Sequence, residues 1–239
     1  MDQTETVDPI AERTKWISFA TELLSLCAEI LHTSVPNVEV TEKKFAEPKI
    51  LALALLCRTY MNLKGVIAVA EQGLVVEART LARSCFENMF LIAALEKKGA
   101  EFVTAMYDSH RKSARLRGEF VLEDLGDLDP LGEEMAEQLR ARLHDIKELR
   151  PKAKILSPKG VAETSVVKPA YLFYSQLSDD AAHPSIVALK RHLIRLNENG
   201  SEVFGLDIHP VERGTEVADT VEMRWLATLR LVSASALAR

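Results

Sequence analysis

Glycine, proline and aromatic residues are scarce in this sequence, which has 10 glycines, 9 prolines and 6% aromatic residues among its 239 residues. This scarcity argues against a fold of many short strands joined by tight turns, and against a disordered or collagen-like chain. Hydrophobic residues make up 47% of the chain and charged residues 27%, enough apolar material for one sizeable core. Alanine, leucine, glutamate and arginine are abundant and favour helices. The composition therefore predicts a helical globular protein.

Cysteines and ligand-binding motifs are equally sparse. Cys27, Cys57 and Cys85 are the only cysteines, and each lies in an apolar, helix-like context. An odd number of dispersed cysteines predicts buried free thiols in a reducing compartment rather than disulfides or a metal site. The sequence also has no HExxH, no pair of ExxH motifs, no CxxC, no Walker-type loop and no GxGxxG. We therefore predict no metal ion and no cofactor.

Long apolar runs are also missing. The longest, Ile50–Cys57, is too short to span a bilayer and ends at Arg58. The N-terminal residues MDQTETVDP are acidic and polar, unlike a signal peptide. A formal net charge of −5 argues against a surface coated by nucleic acid, but it allows a local basic patch. We expect a soluble, cytoplasmic protein that does not contact a membrane.

Apolar residues recur at helical spacing along most of the chain. Start and stop signals predict helices at residues 9–32, 48–72, 74–95, 101–125, 131–149, 169–180, 185–196 and 215–237. A proline-containing basic loop at 150–167 is expected to be mobile, and residues 202–211 could form either a short extended piece or an irregular loop. The pattern predicts an all-α fold in which a single domain, residues 1–239, is a bundle of seven to eight helices around the central apolar helix 74–95.

The central helix is apolar on almost every side, yet it carries Arg79, Arg83 and Glu87. These residues are spaced four apart, so they form a narrow line on the helix surface. Charges on a helix surrounded by core must be paired or must line a cavity, because an unpaired buried charge is strongly destabilising. An i,i+4 ion pair accounts for Arg83 and Glu87 but not for Arg79. The alternative is an anion or phosphate site, which suits the guanidinium group.

His183 is a second candidate, in the segment SDDAAHPS at 178–185. Pro184 restricts the local backbone and ends the preceding helix. A histidine held there beside carboxylates can act as an acid or base near neutral pH, although a surface or helix-capping histidine explains the same pattern. Ser178 lies in no nucleophile motif, since the sequence has no GxSxG.

Two further groups of polar residues have less specific patterns. Tyr107, His110 and Arg111 lie close together on the fourth helix, either as part of a polar network or as an exposed polar face. The basic loop could contact nucleic-acid phosphates, but it lacks interleaved aromatic residues for base stacking, and a solvated linker is the alternative. Its cations are Arg150, Lys152, Lys154 and Lys159.

Two segments together resemble a known family. The residues ARTLARSCFEN at 78–88 and YSQLSDDAAHPS at 174–185 are similar to those of an uncharacterised bacterial all-helical family, a domain of unknown function. The similarity runs from the second helix to about Ser185. The matching positions are Arg79, Arg83, Glu87, Ser178 and His183.

Families of this kind distantly resemble HEPN-type helical domains, many of which are metal-independent ribonucleases or abortive-infection toxins in phage defence. That resemblance implies RNA as the substrate, His183 as general acid or base, and Arg79 or Arg83 as the group that stabilises the phosphorane charge.

Two functions from different classes follow, and whether the chain is an enzyme is left open. One is a non-catalytic binding or scaffold protein, a homo-oligomer with RNA or another protein as partner. Its polar network would join the arginines and Glu87 to Ser178, Tyr107, His110 and His183. The other is a HEPN-like ribonuclease. The first predicts paired, enclosed charges, and the second predicts an open cleft where His183 meets the arginines.

Overall fold

The computed structural model describes residues 9–39, 42, 44–123, 132–179, 189–190, 193–198 and 201–206. Its α-helices in this part of the chain are α1 (Pro9–Ser34), α2 (Pro48–Glu71), α3 (Val75–Lys98), α4 (Ala100–Glu123), α5 (Glu133–Leu149), α6 (Pro158–Ala162) and α7 (Tyr171–Leu177). Three short 3-10 turns lie at Val35–Asn37, Lys44–Ala46 and Lys168–Ala170. The predicted all-α bundle is confirmed. The helix expected at 215–237 lies outside the described residues.

Helices α2 and α3 form a tightly packed hairpin. At the turn, Gly73 has a φ of 78°, a conformation that glycine adopts without steric cost. Leu74 N donates to Val69 O at 3.0 Å and closes the turn. Halfway along, a Cβ atom built on Gly65 would lie 2.9 Å from Leu81 Cδ1. Glycine at that position therefore allows the two helices to approach closely.

Helix α3 lies at the centre of the hydrophobic core, as predicted. Helix α2 packs along one side of it, α6 and α7 pack on another, and α1 packs against α2. Several large side chains from the two central helices are less than 2% exposed: Leu56, Leu63, Val66, Met89, Phe90 and Ile92. Charged side chains at the edge of such a core are stabilised where neighbouring groups supply partners.

Helix α5 is peripheral, as its narrow apolar stripe predicts. Its buried residues are Ala136 and Leu143, and Leu143 Cδ2 lies 2.7 Å from the position that a Cβ on Gly118 of α4 would occupy. Close contact with a glycine fixes the crossing point of these two helices. The α4–α5 pair therefore extends from the core helices and keeps most of its surface in solvent.

Part of the segment predicted as a basic loop is helical. Ser157 caps α6, with its Oγ accepting a hydrogen bond from Gly160 N at 3.1 Å. Val161, Ala162 and Val167 are buried in the core. The prediction of a loop is therefore wrong for residues 158–162, because serine before proline is a helix-start signal as well as a turn signal. Mobility of the remaining residues stays a prediction.

An antiparallel hairpin joins β1 (Leu193–Glu198) to β2 (Ser201–Leu206), with Glu198 opposite Ser201 and Leu193 opposite Leu206. The helix expected over 185–196 is therefore wrong for 193–196. The extended piece expected at 202–211 is correct for 202–206. The sequence between the strands is Asn199-Gly200, the dipeptide most typical of two-residue hairpin turns.

The three cysteines differ in exposure. Burial raises the pKa of the Cys27 thiol to about 11 and that of Cys85 to about 12, so both stay protonated at neutral pH. Cys57 is exposed, so the expectation that all three thiols are buried is wrong for this residue. Its position on the outer side of α2 explains the difference, since only the other side of that helix packs against α3.

Helix α2 is long and apolar enough to cross a membrane by length and composition alone. The sequence-based expectation rested only on the apolar run Ile50–Cys57, which is too short to span a bilayer. The whole helix is much longer than that run. The buried core helix of a soluble protein meets the same test, and α2 contributes Leu56, Leu63 and Val66 to the core.

Candidate functional site

Arg83, in the middle of α3, reaches across to α7. Its Nε donates to Ser178 Oγ at 2.9 Å, and its Nη2 donates to the Tyr174 hydroxyl at 2.8 Å. The same Nη2 forms an ion pair with Glu87 Oε1 at 3.0 Å, one turn along α3. One guanidinium group therefore connects two helices that are more than 90 residues apart in sequence.

Tyr174 completes the connection from the other side. Its hydroxyl accepts from Arg83 and donates to Glu87 Oε1 at 3.0 Å. Ser178 follows one turn later, and its Oγ donates to Tyr174 O at 2.8 Å while accepting from Arg83. Ser178 caps the C-terminus of α7 with helical backbone angles, so a spacing of four residues places both side chains on the same side of the helix. We call Arg83, Glu87, Tyr174 and Ser178 the α3–α7 network.

Aromatic rings surround the inner part of the network. Tyr174 is 6% exposed, and its ring meets that of Phe90 edge to face, with ring centroids 5.7 Å apart. Tyr171 packs beside it at 5.6 Å. Arg83 Cζ lies 5.1 Å from the Tyr174 ring centroid, within the range of cation–π attraction. The rings exclude water from one side of the network and strengthen its electrostatic interactions.

The outer part of the network reaches solvent. The Arg83 side chain is 25% exposed and that of Glu87 is 33% exposed, so the charges lie at the edge of the core rather than inside a sealed cavity. Burial raises the pKa of Tyr174 above its ordinary value of 10, and Glu87 raises it further, although the hydrogen bonds from Ser178 and Arg83 act in the opposite direction. The phenol therefore keeps its proton at neutral pH and donates to Glu87.

Sequence reasoning located three of the four members of this network. The predicted candidates in the network are Arg83, Glu87 and Ser178. Arg83 contacts both of the others directly. Tyr174 was missed as a polar partner, although it stands four residues before Ser178 in one of the two segments that carry the family resemblance. Arg79 lies one turn before Arg83 on the same side of α3 and is half-buried.

The remaining predicted candidates are elsewhere or outside the described residues. His183 belongs to the undescribed stretch, so its convergence with the arginines stays a prediction. Tyr107 and His110 are exposed on α4, and in the described part of the chain the hydrogen bonds of the α3–α7 network do not include them. Among the same described residues, no three His, Cys, Asp or Glu side chains are arranged to hold a metal ion.

A second charged cluster lies where α4 meets the end of α5. Asp108 Oδ1 is 3.3 Å from Arg111 Nη1 and 3.4 Å from Arg150 Nε. Next to this ion-pair cluster, Leu156 N donates to Ser109 Oγ at 3.0 Å. The basic segment after α5 is therefore held against α4, rather than extending freely from the molecule.

Comparison with known proteins gives one result. A protein-family model described as a family of unknown function, DUF5677, matches residues 49–201. A search of curated proteins and a search of solved structures each found no match. The matched region runs from the start of α2 through β1 and contains the whole α3–α7 network. Because the match covers well over half of the chain, the protein belongs to the DUF5677 family.

Proposed function

We propose that this protein is a non-catalytic helical binding or scaffold protein, in which the α3–α7 network holds α7 against the central helix. The observation that carries this proposal is the set of contacts that the Arg83 guanidinium group makes. Its Nε binds Ser178, and its Nη2 binds both Tyr174 and Glu87. A guanidinium group that is engaged by three partners from its own chain is suited to joining helices.

The length of α7 supports the same role. The helix spans seven residues, and a helix this short is unstable in water without tertiary contacts. Hydrogen bonds to a charged group contribute about 1.5–3 kcal/mol each, so Arg83 supplies a substantial part of what holds α7 in place. A ligand anion at Arg83 would have to replace contacts with Ser178, Tyr174 and Glu87, which disfavours an anion site at this group.

A HEPN-like metal-independent ribonuclease remains the alternative to be tested, since it is the more specific biological suggestion from the sequence. It would require His183 to meet Arg79 or Arg83 where RNA can enter. The partial exposure of Arg83 and Glu87 leaves the network reachable from solvent, but their hydrogen bonds account for the arrangement without a substrate.

The experiment that separates the two functions is induced expression of the full chain in bacteria, with growth and total RNA followed together. We expect normal growth and intact RNA for the wild type and for His183→Ala. Growth arrest with RNA fragmentation that is lost in both His183→Ala and Arg83→Ala, while both variants stay folded, would overturn the proposal. Light scattering on the purified protein tests the homo-oligomer that we propose, and cell fractionation tests the soluble, cytoplasmic location.

A further inference from the structure

Positive charge is concentrated in two segments of an acidic chain. Residues 107–117 carry four cationic side chains and one carboxylate, and residues 150–159 carry four cationic side chains and no carboxylate. Together these segments have a formal charge of +7 in a chain whose total is −5. The rest of the molecule is therefore strongly acidic. A difference of this size between regions creates a local field that attracts polyanions.

The fold brings the two segments together. Arg111 from α4 and Arg150 from the end of α5 bind the same oxygen of Asp108, at 3.3 and 3.4 Å. A single carboxylate cannot neutralise two guanidinium groups, so the cluster keeps a net positive charge. The side chains of Arg111 and Arg150 are 45% and 49% exposed, which leaves their outer edges free to meet phosphate oxygens.

An aromatic side chain lies beside these cations. Tyr107 is one turn before Arg111 on the same side of α4, and it is 40% exposed. Lys152 and Lys154 follow Arg150 and are exposed as well. We call Tyr107, Arg111, Arg150, Lys152 and Lys154 the basic surface. The sequence alone showed no aromatic residue within the basic segment, and only the fold supplies one from α4.

We propose that the basic surface binds single-stranded nucleic acid, with the cations contacting phosphates and Tyr107 stacking on a base. This inference rests on the proposed binding function and names its partner class. An acidic protein segment would also be attracted by the charge. The exposed tyrosine favours nucleic acid, because base–aromatic stacking and backbone contacts together are the usual means of binding single strands.

The test is fluorescence anisotropy with a labelled oligouridylate and the full-length protein, at several salt concentrations. We compare the wild type with Lys152→Ala/Lys154→Ala and with a matched double variant, Arg58→Ala/Lys64→Ala, which removes two exposed cations from α2. For the basic-surface variant we expect weaker binding and a salt-dependence slope that is less steep by about 0.7 per removed phosphate contact. The α2 variant should retain wild-type binding.

Tyr107→Ala separates stacking from charge. We expect it to weaken binding roughly fivefold or more, the effect of losing one base–aromatic stack, with an unchanged salt slope. Tyr107→Phe keeps the ring and should restore the affinity. A loss that depends on the hydroxyl rather than the ring would overturn the stacking role.

Three results would overturn the nucleic-acid assignment. They are no binding by the wild type at low salt, equal losses in the basic-surface and α2 variants, and competition by polyglutamate as strong as that by unlabelled oligouridylate. None of them bears on the α3–α7 network, whose role is judged by stability and by RNA integrity in cells. Conversely, cleavage of the oligonucleotide by the wild type would reject the non-catalytic function. Comparison of the same variants would still show whether the basic surface binds the oligonucleotide.

Discussion

The α3–α7 network and the Asp108 cluster use the same chemical groups in opposite ways. In the network, one arginine is shared among a carboxylate, a phenol and a hydroxyl, beside the buried ring of Phe90. In the cluster, one carboxylate is shared between two arginines that are about half exposed. The network balances its charges at short distances, whereas the cluster leaves an excess of positive charge in solvent.

This difference shows how the surroundings of an arginine indicate whether it stabilises the fold or binds a ligand. Removing one partner of a partly buried, charge-assisted hydrogen bond lowers the stability more than removing one partner of an exposed ion pair, because the remaining groups stay desolvated and unpaired. Exposed ion pairs are screened and contribute at most about 1 kcal/mol. We therefore assign stability to the arginine of the network and ligand binding to the arginines of the cluster. Each assignment can be tested by a measurement.

The largest effect is expected from Phe90→Ala. Phe90 is 1% exposed and packs against both Phe86 and Tyr174, so the cavity should lower the free energy of unfolding by about 3–5 kcal/mol. Phe120→Ala is the matched control, since Phe120 on α4 is 53% exposed. Urea denaturation measures both. A similar loss in the two variants would mean that α3 is no more central to stability than α4.

Arg83→Ala should have the next largest effect, about 2–3 kcal/mol of unfolding free energy. The substitution leaves Glu87 and Ser178 without the guanidinium group and detaches α7 from α3. Arg111→Ala provides the comparison, because Asp108 keeps Arg150 as a partner and the loss should stay below about 1 kcal/mol. Should the two variants unfold at the same urea concentration, the distinction between the network and the cluster would be lost.

Tyr174→Phe sharpens the comparison within the network. The variant keeps the ring contacts with Phe90 and removes only the hydroxyl that bridges Arg83 and Glu87, so we expect a loss of about 1–1.5 kcal/mol. Tyr171→Phe is the control, since Tyr171 contributes its ring beside Tyr174. A double-mutant cycle with Glu87→Gln measures the coupling between the phenol and the carboxylate. Strictly additive losses would argue against a shared network.

The central helix was predictable from sequence because its signals are local. Its apolar periodicity and the glycines at either end, Gly73 and Gly99, placed it within about three residues of Val75–Lys98. The pairing of Arg83 with Glu87 was also local, at four residues apart. The hairpin at 193–206 was harder, because strand pairing depends on tertiary context even though Asn199-Gly200 marked the turn.

Tyr174 shows why the site could be predicted only in part. Its sequence neighbours give it the helical spacing of an ordinary core aromatic residue, and its ring does lie in the core. Its polar role depends on Arg83 and Glu87, some 90 residues earlier. The basic surface is the same kind of case, since Asp108, next to Tyr107 on α4, contacts Arg150 of the basic segment, about 40 residues later. Residue spacing records neither of these contacts.

The smallest effect we predict is a dependence of stability on alkaline pH, which also comes from the network. The pKa of Tyr174 is raised in the folded protein, mainly by burial and then by Glu87. Folding therefore favours the protonated phenol. This contribution to stability is complete below the ordinary pKa of 10 and is lost as pH rises through the higher folded value.

Cys27 and Cys85 also lower the stability of the folded protein as pH rises above about 9, since their folded pKa values are raised as well. Unfolding free energies measured from pH 8 to 11 should fall for the wild type and fall less steeply for Tyr174→Phe. Arg111→Ala should follow the wild-type curve, because the substitution lies outside the α3–α7 network and leaves Tyr174, Cys27 and Cys85 in place. A shallower curve for Arg111→Ala would place the alkaline sensitivity in the exposed cluster and reverse the assignment of stability to the network.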